Sequence, residues 1–328
     1  MKLISVAIMT YNHENFISDC LDSVLNQTRL PDEIIVCDDC SNDNNWKIIE
    51  KYKEKFGDKL FIIQNEKNLG IFKNCAYTRS LAKGRVIISL AGDDKLEITA
   101  VENLYNALIK YDLHNSDEKF VVFTNFKILY PNGRIKIFNN YKYRKKDHIS
   151  LVIRSLIGFR GFGISRNLLM GRTQDDELYS HYPNLSISLD FIMNIEEALL
   201  ADSFYFEDFT SNYYRVGYGI TSNIENHATE HQEDLYKLAL HRFKNYIKSE
   251  DIRYLKYKIS LARFGKNKTI LNLLYFLYFL LINIFNFIDA KNILKNDLKI
   301  LIPNRMYQKL RLLYWGKKKF LSDKKIGG

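Results

Sequence analysis

Three observations predict an α/β fold with a mostly parallel sheet. Over residues 1–99 short apolar runs alternate with stretches of helical period. The runs are apolar on nearly every residue, as expected of strands covered by helices on both faces. Three of the first four runs also end in polar clusters. Alternation at this spacing is the signature of βαβ units.

The elements follow in order. Leu3–Met9 reads as a strand, and Glu14–Gln27 sets Phe16, Ile17, Leu21, Val24 and Leu25 on one helical face. Glu33–Cys37 is a second strand ending in Asp38-Asp39-Cys40-Ser41. A polar helix then carries Trp46, Ile48, Ile49 and Tyr52. Leu60–Ile63 gives a third strand, Ile71–Ala82 a helix stopped by Gly84, and Arg85–Leu90 a fourth strand running into Ala91-Gly92-Asp93-Asp94. Beyond Thr99 the pattern loosens. Lys119–Thr124 and Lys127–Tyr130 read as strands, and Tyr141–His148 as a basic aromatic loop. Gly158–Ser165 is glycine-rich. A helix begins near Asp190 and leads to Phe204–Phe206 and Tyr213-Tyr214-Arg215.

A length of 328 residues predicts about two domains. Residues 1–224 form the α/β body, and residues 225–328 are expected to be a basic α-helical extension. The charge is uneven. Residues 237–325 hold 21 basic and 5 acidic side chains, against 27 and 33 elsewhere, within an overall charge of +10. Such an extension suits a polyanionic surface. Four cysteines (Cys20, Cys37, Cys40, Cys75) make no disulfide framework. Cys37-x-x-Cys40 lacks a second pair at zinc spacing and reads as structural thiols. Asn12, His13 and Glu14 interrupt the first apolar run, so the N-terminus is not expected to be a signal peptide and the body is expected in the cytosol.

In open α/β sheets ligands bind outside the carboxyl ends of the strands. Thr10-Tyr11-Asn12, Asp38-Asp39 and Asp93-Asp94 stand at three such ends. Carboxylates brought to one edge repel one another unless a cation relieves them. Few protein carboxylates, with phosphate oxygens completing the shell, is the usual magnesium or manganese arrangement. Aspartates at strand ends are also ordinary turn formers and helix caps. Three clusters on one edge favour a nucleotide-diphosphate site. No G-x-G-x-x-G and no G-x-x-x-x-G-K-[ST] is present, which disfavours dinucleotide dehydrogenases and P-loop enzymes. The phosphate then reads as part of a leaving group.

Ser5-Val-Ala-Ile-Met-Thr-Tyr-Asn12, Ile34-Ile-Val-Cys-Asp-Asp-Cys-Ser41, Asn68-Leu-Gly-Ile-Phe-Lys-Asn74 and Ser89-Leu-Ala-Gly-Asp-Asp94 together resemble the successive motifs of family 2 glycosyltransferases. The resemblance covers about residues 3–222 and implies the GT-A nucleotide-diphospho-sugar transferase fold. It implies that Thr10 and Asn12 line the nucleotide pocket, Asp39 faces the base and Lys73 lies near the diphosphate. By the resemblance Asp93 and Asp94 take the place of the family's ribose- and metal-holding motif, with Asp94 put ahead of Asp93 as direct ligand of Mn²⁺ or Mg²⁺. Cys40 stands where the family often has glycine.

The family also implies a catalytic carboxylate at the start of a later helix, followed by a Tyr-Arg pair. Leu189-Asp190-Phe191 begins such a helix, and Arg215 follows 25 residues after Asp190. Asp190 is the candidate general base, because a sugar hydroxyl attacks poorly until its proton is taken. The alternative for Asp190 is an acid placed to suit the helix dipole. Glu207-Asp208 is the second candidate pair, read as preceding a strand. Gly217 departs from a Tyr-Arg-x-His pattern, which leaves Arg215 as the cationic partner of the diphosphate. His13 and His181 read as surface histidines.

Thr269–Ile288 holds 20 residues without a charge, enough to span a bilayer. Asn272, Asn283 and Asn286 fall on a narrow stripe of it, which favours a helix lying in an interface or packed on protein. Met306–Leu321 mixes Leu310, Leu313, Tyr307, Tyr314 and Trp315 with Lys309, Arg311 and Lys317–Lys319. Basic amphipathic segments of this kind favour anionic membrane surfaces. Peripheral attachment at the cytoplasmic face of an inner membrane is therefore expected ahead of an intramolecular cap or a membrane span.

The expected activity is inverting transfer from a nucleoside-diphosphate sugar, UDP-linked by base rate. The expected acceptor is a glycan or glycolipid precursor of bacterial surface polysaccharide. Two other readings are a sugar-nucleotide pyrophosphorylase, whose glycine- and arginine-rich first loop is missing at Thr10–Asn15, and a nucleic-acid binder using the basic tail. No RNA-binding motif supports the latter, so nucleic acid is not an expected partner.

Overall fold

The computed structural model describes residues 2–144, 148–154, 161–170, 189–218, 224–267 and 269–285; the side chains of 148, 154, 189–190, 224–231 and 279–285 fall outside that description. The chain forms two compact units, Met1–Ala228 and Thr229–Gly328.

In the first unit the parallel core forms as the apolar runs predict. β1 (Ile4–Thr10), β2 (Glu33–Asp38), β3 (Leu60–Gln64) and β4 (Val86–Ala91) lie side by side in the order β3-β2-β1-β4. Each β-strand places alternate residues on opposite faces. Val6, Ile8, Ile34, Val36 and Ile88 pack against one helical layer, made by Ile17, Leu21 and Val24 of α1 (Ile17–Leu25) and Val101, Leu104 and Leu108 of α5 (Ala100–Lys110). Ala7, Ile35, Cys37 and Ile87 take the other face, with Leu168 and Leu169 of α7 (Arg166–Met170). Fully burying one such aliphatic side chain contributes about 1.5–3 kcal/mol. Between these elements run α2 (Asn45–Glu50), α3 (Lys53–Phe56) and α4 (Ile71–Leu81).

Beyond β4 the sheet becomes mixed. It continues through β8 (Gly163–Ser165), β6 (Phe120–Leu129), β9 (Ser203–Arg215) and β5 (Lys95–Leu96), with β7 (Ile135–Phe138) paired to β6. β6 and β9 run parallel, while β4–β8, β6–β8, β6–β7 and β5–β9 are antiparallel. Where the sequence suggests two short strands, β6 is one continuous strand through Thr124 and Asn125, and β9 runs unbroken from Ser203 to Arg215. Glu207 and Asp208 therefore lie within β9 rather than before a strand. They are held by Lys110 at 2.8 Å and by Asn125 at 2.9 Å, respectively. α6 (His148–Arg154) and α8 (Leu189–Leu200) complete this unit's helices among the described residues.

The described helices of the second unit are α9 (Ile224–Phe243), whose first residues fall in the first unit, α10 (Ser249–Lys266) and α11 (Ile270–Phe285). Glu233 of α9 pairs with Lys237 at 2.7 Å and with Arg263 of α10 at 3.0 Å. Phe276 of α11 is fully buried between the rings of Tyr257 and Phe264. No described helix is long and apolar enough to cross a membrane. Residues 286–288 and the segment Met306–Leu321 lie outside the described residues.

Candidate active site

The parallel register brings the strand-end clusters together. Thr10 pairs with Asp38, and Met9 with Ala91, so the ends of β1, β2 and β4 share one edge. On that edge the two neighbouring aspartates of β2 act differently. Asp38 is fully buried and accepts from the Ser41 backbone and hydroxyl, from Asn45 Nδ2 at 2.6 Å and from Gln64 Nε2 at 3.0 Å. It fixes the turn that carries Cys40 and Ser41. Asp39 accepts from Asn65 Nδ2 and the Leu69 N–H at 2.8 Å, and from the Gly70 N–H at 2.9 Å. It thereby anchors the start of α4, and Lys73 stands exposed in that helix's first turn. A carboxylate offers about four acceptor positions, so Asp39 retains capacity for a ligand.

Two residues of this edge adopt left-handed backbone, Asn12 (φ 54°) and Cys40 (φ 61°). Asn12 is tied to the two residues that follow Cys40. The Asn12 N–H donates to Ser41 Oγ at 2.8 Å, and Asn12 Oδ1 accepts from the Asn42 N–H at 2.9 Å. Thr10 Oγ1 donates to Asn45 Oδ1 at 3.2 Å and lies 3.2 Å from His13 Nδ1. His13 is thus no surface histidine. Burial pushes it below the ordinary imidazole range, against the opposing pull of Asp93, Asp43 and Asp38. Sequence reasoning missed it because nothing in the run Tyr11–Glu14 shows that the ring folds back onto Thr10. His181 lies outside the described residues.

Asp93 and Asp94 follow β4, in a turn that leaves no room for a side chain at Gly92. A Cβ there would stand 2.5 Å from Thr10 Oγ1 and 2.9 Å from His13 Nδ1. Arg215, at the end of β9, closes the group. Its N–H donates to Asp94 Oδ1 at 2.8 Å, and its Nε donates to the Asp93 carbonyl at 2.9 Å. The guanidinium also reaches Asp19 at 3.2 Å and lies over the Phe16 ring at 4.9 Å. Two residues on, Gly217 adopts φ +83° with Pro131 Cγ 2.6 Å from where a Cβ would stand. This backbone excludes the side chain that the Tyr-Arg-x-His pattern would put there.

Asp190 is the second residue of α8, and its side chain is outside the described set. The helix that carries it is firmly seated. Phe191, Ile192 and Ile195 are buried, and Glu197 meets Arg79 of α4 at 3.4 Å. Arg79 in turn donates to Ser89 Oγ of β4 at 2.7 Å. The structure thus gathers Thr10, Asn12, Asp93, Asp94 and Arg215 on one edge, with Asp39 and Lys73 on the adjoining loop and helix.

Among the described residues no three of His, Cys, Asp and Glu form a metal-holding group. Asp93 and Asp94 are adjacent carboxylates in the turn after β4, side chains of a type that suits a hard cation taking its remaining positions from phosphate oxygens and water. Cys37 is buried in β2 with its thiol pushed up by burial, and Cys40 Sγ lies 3.9 Å from the Glu66 carbonyl.

The model of Glycosyl transferase family 2 matches residues 5–171. The Escherichia coli UDP-Glc:alpha-D-GlcNAc-diphosphoundecaprenol beta-1,3-glucosyltransferase WfaP is 38% identical over 105 residues, 31% of this chain and 40% of that protein. The cholesterol galactosyltransferase of Borreliella burgdorferi is 29% identical over 177 residues, 52% and 46% of the two chains. The matches span less than half the length of these relatives. Among solved structures, Staphylococcus aureus TarS in complex with UDP-GlcNAc aligns at TM-score 0.55 and 20% identity, covering 85% of this chain and 79% of that one. A Pyrobaculum calidifontis mannosyltransferase in complex with GDP-Man and Mn²⁺ aligns at TM-score 0.53 and 14% identity, covering 86% and 81%. These neighbours share the GT-A-type fold.

Proposed function

The chain belongs to glycosyl transferase family 2, and from that premise we propose that it is an inverting transferase that moves a sugar from a UDP-linked donor to a lipid-linked or surface-glycan acceptor. The observation that carries this reading is the seating of Asp93 and Asp94 against Arg215 on the edge that also holds Thr10 and Asn12. Thr10 and Asn12 line the nucleotide, Asp39 meets the base, and Lys73 and Arg215 offset the diphosphate charge. Asp94, with Asp93, would hold Mn²⁺ or Mg²⁺. Such a cation, when bound, stabilises the charge that grows on the leaving diphosphate.

Asp190 takes the proton of the acceptor hydroxyl as its oxygen attacks the anomeric carbon. The bond from that carbon to the diphosphate oxygen breaks on the opposite side, and the nucleoside diphosphate leaves with the electron pair. Positioned general-base catalysis of this kind contributes about 10²–10⁴-fold in rate. We assign residues 1–224 to this chemistry and residues 225–328 to holding the enzyme at the cytoplasmic face of the membrane. WfaP acts, by its name, on a diphosphoundecaprenol-linked sugar, which supports a lipid-carried acceptor here.

The test is calorimetric binding of UDP-, GDP- and dTDP-sugars with and without Mn²⁺. One donor should bind in a metal-dependent way, and Asp94→Ala should weaken it at least about tenfold, the loss expected for one charged contact. Binding of no nucleotide sugar under any condition would overturn the proposal.

A further inference from the structure

α11 turns its apolar surface outward. Ile270 is 78% exposed, Leu274 58% and Tyr278 60%, with Leu271, Tyr275 and Leu277 exposed beside them. At about 100° per residue these six side chains fill an arc of about 160°. The inward contacts come from the rest of the circle. Phe276 packs between Tyr257 and Phe264 of α10, at ring distances of 5.8 and 6.0 Å. Asn272, half-buried, donates to the Asn267 carbonyl at 2.8 Å in the α10–α11 turn. A helix hairpin stable in water buries its apolar arc and exposes its polar stripe. Here a wide apolar arc stays exposed instead, which suits an apolar medium against it.

Charge selects among the apolar media that could cover it. Residues 237–325 carry 21 basic and 5 acidic side chains, and residues 286–328 alone carry 11 and 3. A second copy docking here would bring one strongly basic region against another. An anionic lipid surface offers both the apolar phase and the opposite charge. Among the described residues no helix is long and apolar enough to cross a membrane.

We propose that Ile270, Leu271, Leu274, Tyr275 and Tyr278 form a lipid-docking face that lays α11 in the headgroup region of an anionic membrane. This deepens the lipid-linked acceptor reading above and rests on it. The face would hold the enzyme where a membrane-carried acceptor is presented.

Sedimentation of the full chain with vesicles tests the proposal, using phosphatidylcholine alone and an equal mixture with phosphatidylglycerol. The wild type should bind the mixed vesicles and bind the neutral ones far less. Leu271→Glu/Leu274→Glu should weaken that binding at least about tenfold, the effect of losing two buried leucines. Leu271→Phe/Leu274→Phe should retain it. Both side chains are exposed, so folding and donor hydrolysis in solution should be unchanged. Absence of wild-type binding to mixed vesicles, or equal binding by the glutamate variant, would overturn the proposal. So would a wild-type dimer that the glutamate variant turns into a monomer. Loss of donor hydrolysis in every variant, with vesicle binding intact, would count against the transferase reading and not against the surface.

Discussion

The backbone N–H of Arg215 donates to Asp94 Oδ1 at 2.8 Å, joining the end of β9 to the turn after β4 across 121 residues of chain. The bond uses main chain, so it survives any change of the Arg215 side chain except proline. What the side chain adds is the Nε bond to the Asp93 carbonyl, the reach to Asp19 and the position over Phe16.

Arg215→Lys should therefore separate assembly of the site from its charge chemistry. The lysine keeps a positive charge and the main-chain bond but loses the guanidinium's planar fork. Turnover per active site should fall about 10–100-fold, as for loss of one or two charge-assisted bonds, while the fold melts within a few degrees of wild type. Steady-state kinetics beside thermal denaturation checks this. Unchanged kcat/KM would mean that the side chain contributes nothing to donor handling.

Gly92→Ala probes the packing under the same turn. The new methyl group would meet Thr10 Oγ1 at 2.5 Å and His13 Nδ1 at 2.9 Å, so the turn or the end of β1 must shift. Overpacking of this kind costs about 1–3 kcal/mol. Urea denaturation should show that loss, with donor binding weakened as well. A fully stable variant with normal donor affinity would show that the turn has room the structure denies it.

Glu33 gives a prediction in pH. Burial alone would raise its pKa, but hydrogen bonds from Lys2, Ser5 and the Lys83 N–H outweigh burial and hold the carboxyl below the ordinary range. Its oxygens also accept from the Gly84 N–H at 3.0 Å, pinning the turn into β4. A carboxyl with a depressed folded pKa stabilises fully above its unfolded value, near 4.5, and loses that contribution as pH falls through the folded value. Glu33→Gln should cost about 1–3 kcal/mol at neutral pH by removing charge-assisted bonds, and the gap to wild type should close toward acid. Denaturation at a series of pH values reads this directly. A gap that widens on acidification would reverse the assigned sign.

Cys40 occupies left-handed backbone at φ 61°, which disfavours side chains branched at Cβ. Cys40→Gly should stay within about 1 kcal/mol of wild type, because relief of backbone strain offsets glycine's unfolded-state entropy. Cys40→Val should lose about 1–2 kcal/mol. Equal stability of the two variants would contradict the assigned conformation.

The parallel half of the fold was legible because β1, β2 and β4 are nearly continuous apolar runs, and their polar ends announce the edge where ligands gather. β6 and β9 were not legible as single strands. Their pairing shifts register at Phe123/Asn125 and again at Asn125/Lys127, so polar residues enter the core there. Those residues are satisfied by partners distant in sequence: Thr124 Oγ1 donates to Ser211 Oγ at 2.7 Å, Asn125 Nδ2 donates to Asp208 at 2.9 Å, and Asn125 Oδ1 accepts from the Asn140 N–H at 2.8 Å. A hydropathy pattern records polarity and not the distant partner that satisfies it. A turn-forming role for Asp38 and Asp39 was among the sequence readings, but their particular partners in the loops 41–45 and 65–70 were hidden for the same reason. His13 was hidden because its burial depends on a contact with Thr10 rather than on its own neighbours in sequence.

The most direct test of the transferase account is nucleoside-diphosphate release from the donor that binds, measured for wild type, Asp94→Ala and Asp190→Asn with Mn²⁺, with Mg²⁺ and after chelation. The account predicts release by wild type that stops on chelation. It predicts that Asp190→Asn binds donor normally yet loses at least about 100-fold in transfer, the contribution of a positioned base. It predicts that Asp94→Ala loses metal-dependent donor binding and turnover together. Full turnover by Asp190→Asn, or release that persists without metal in wild type and Asp94→Ala alike, would contradict it.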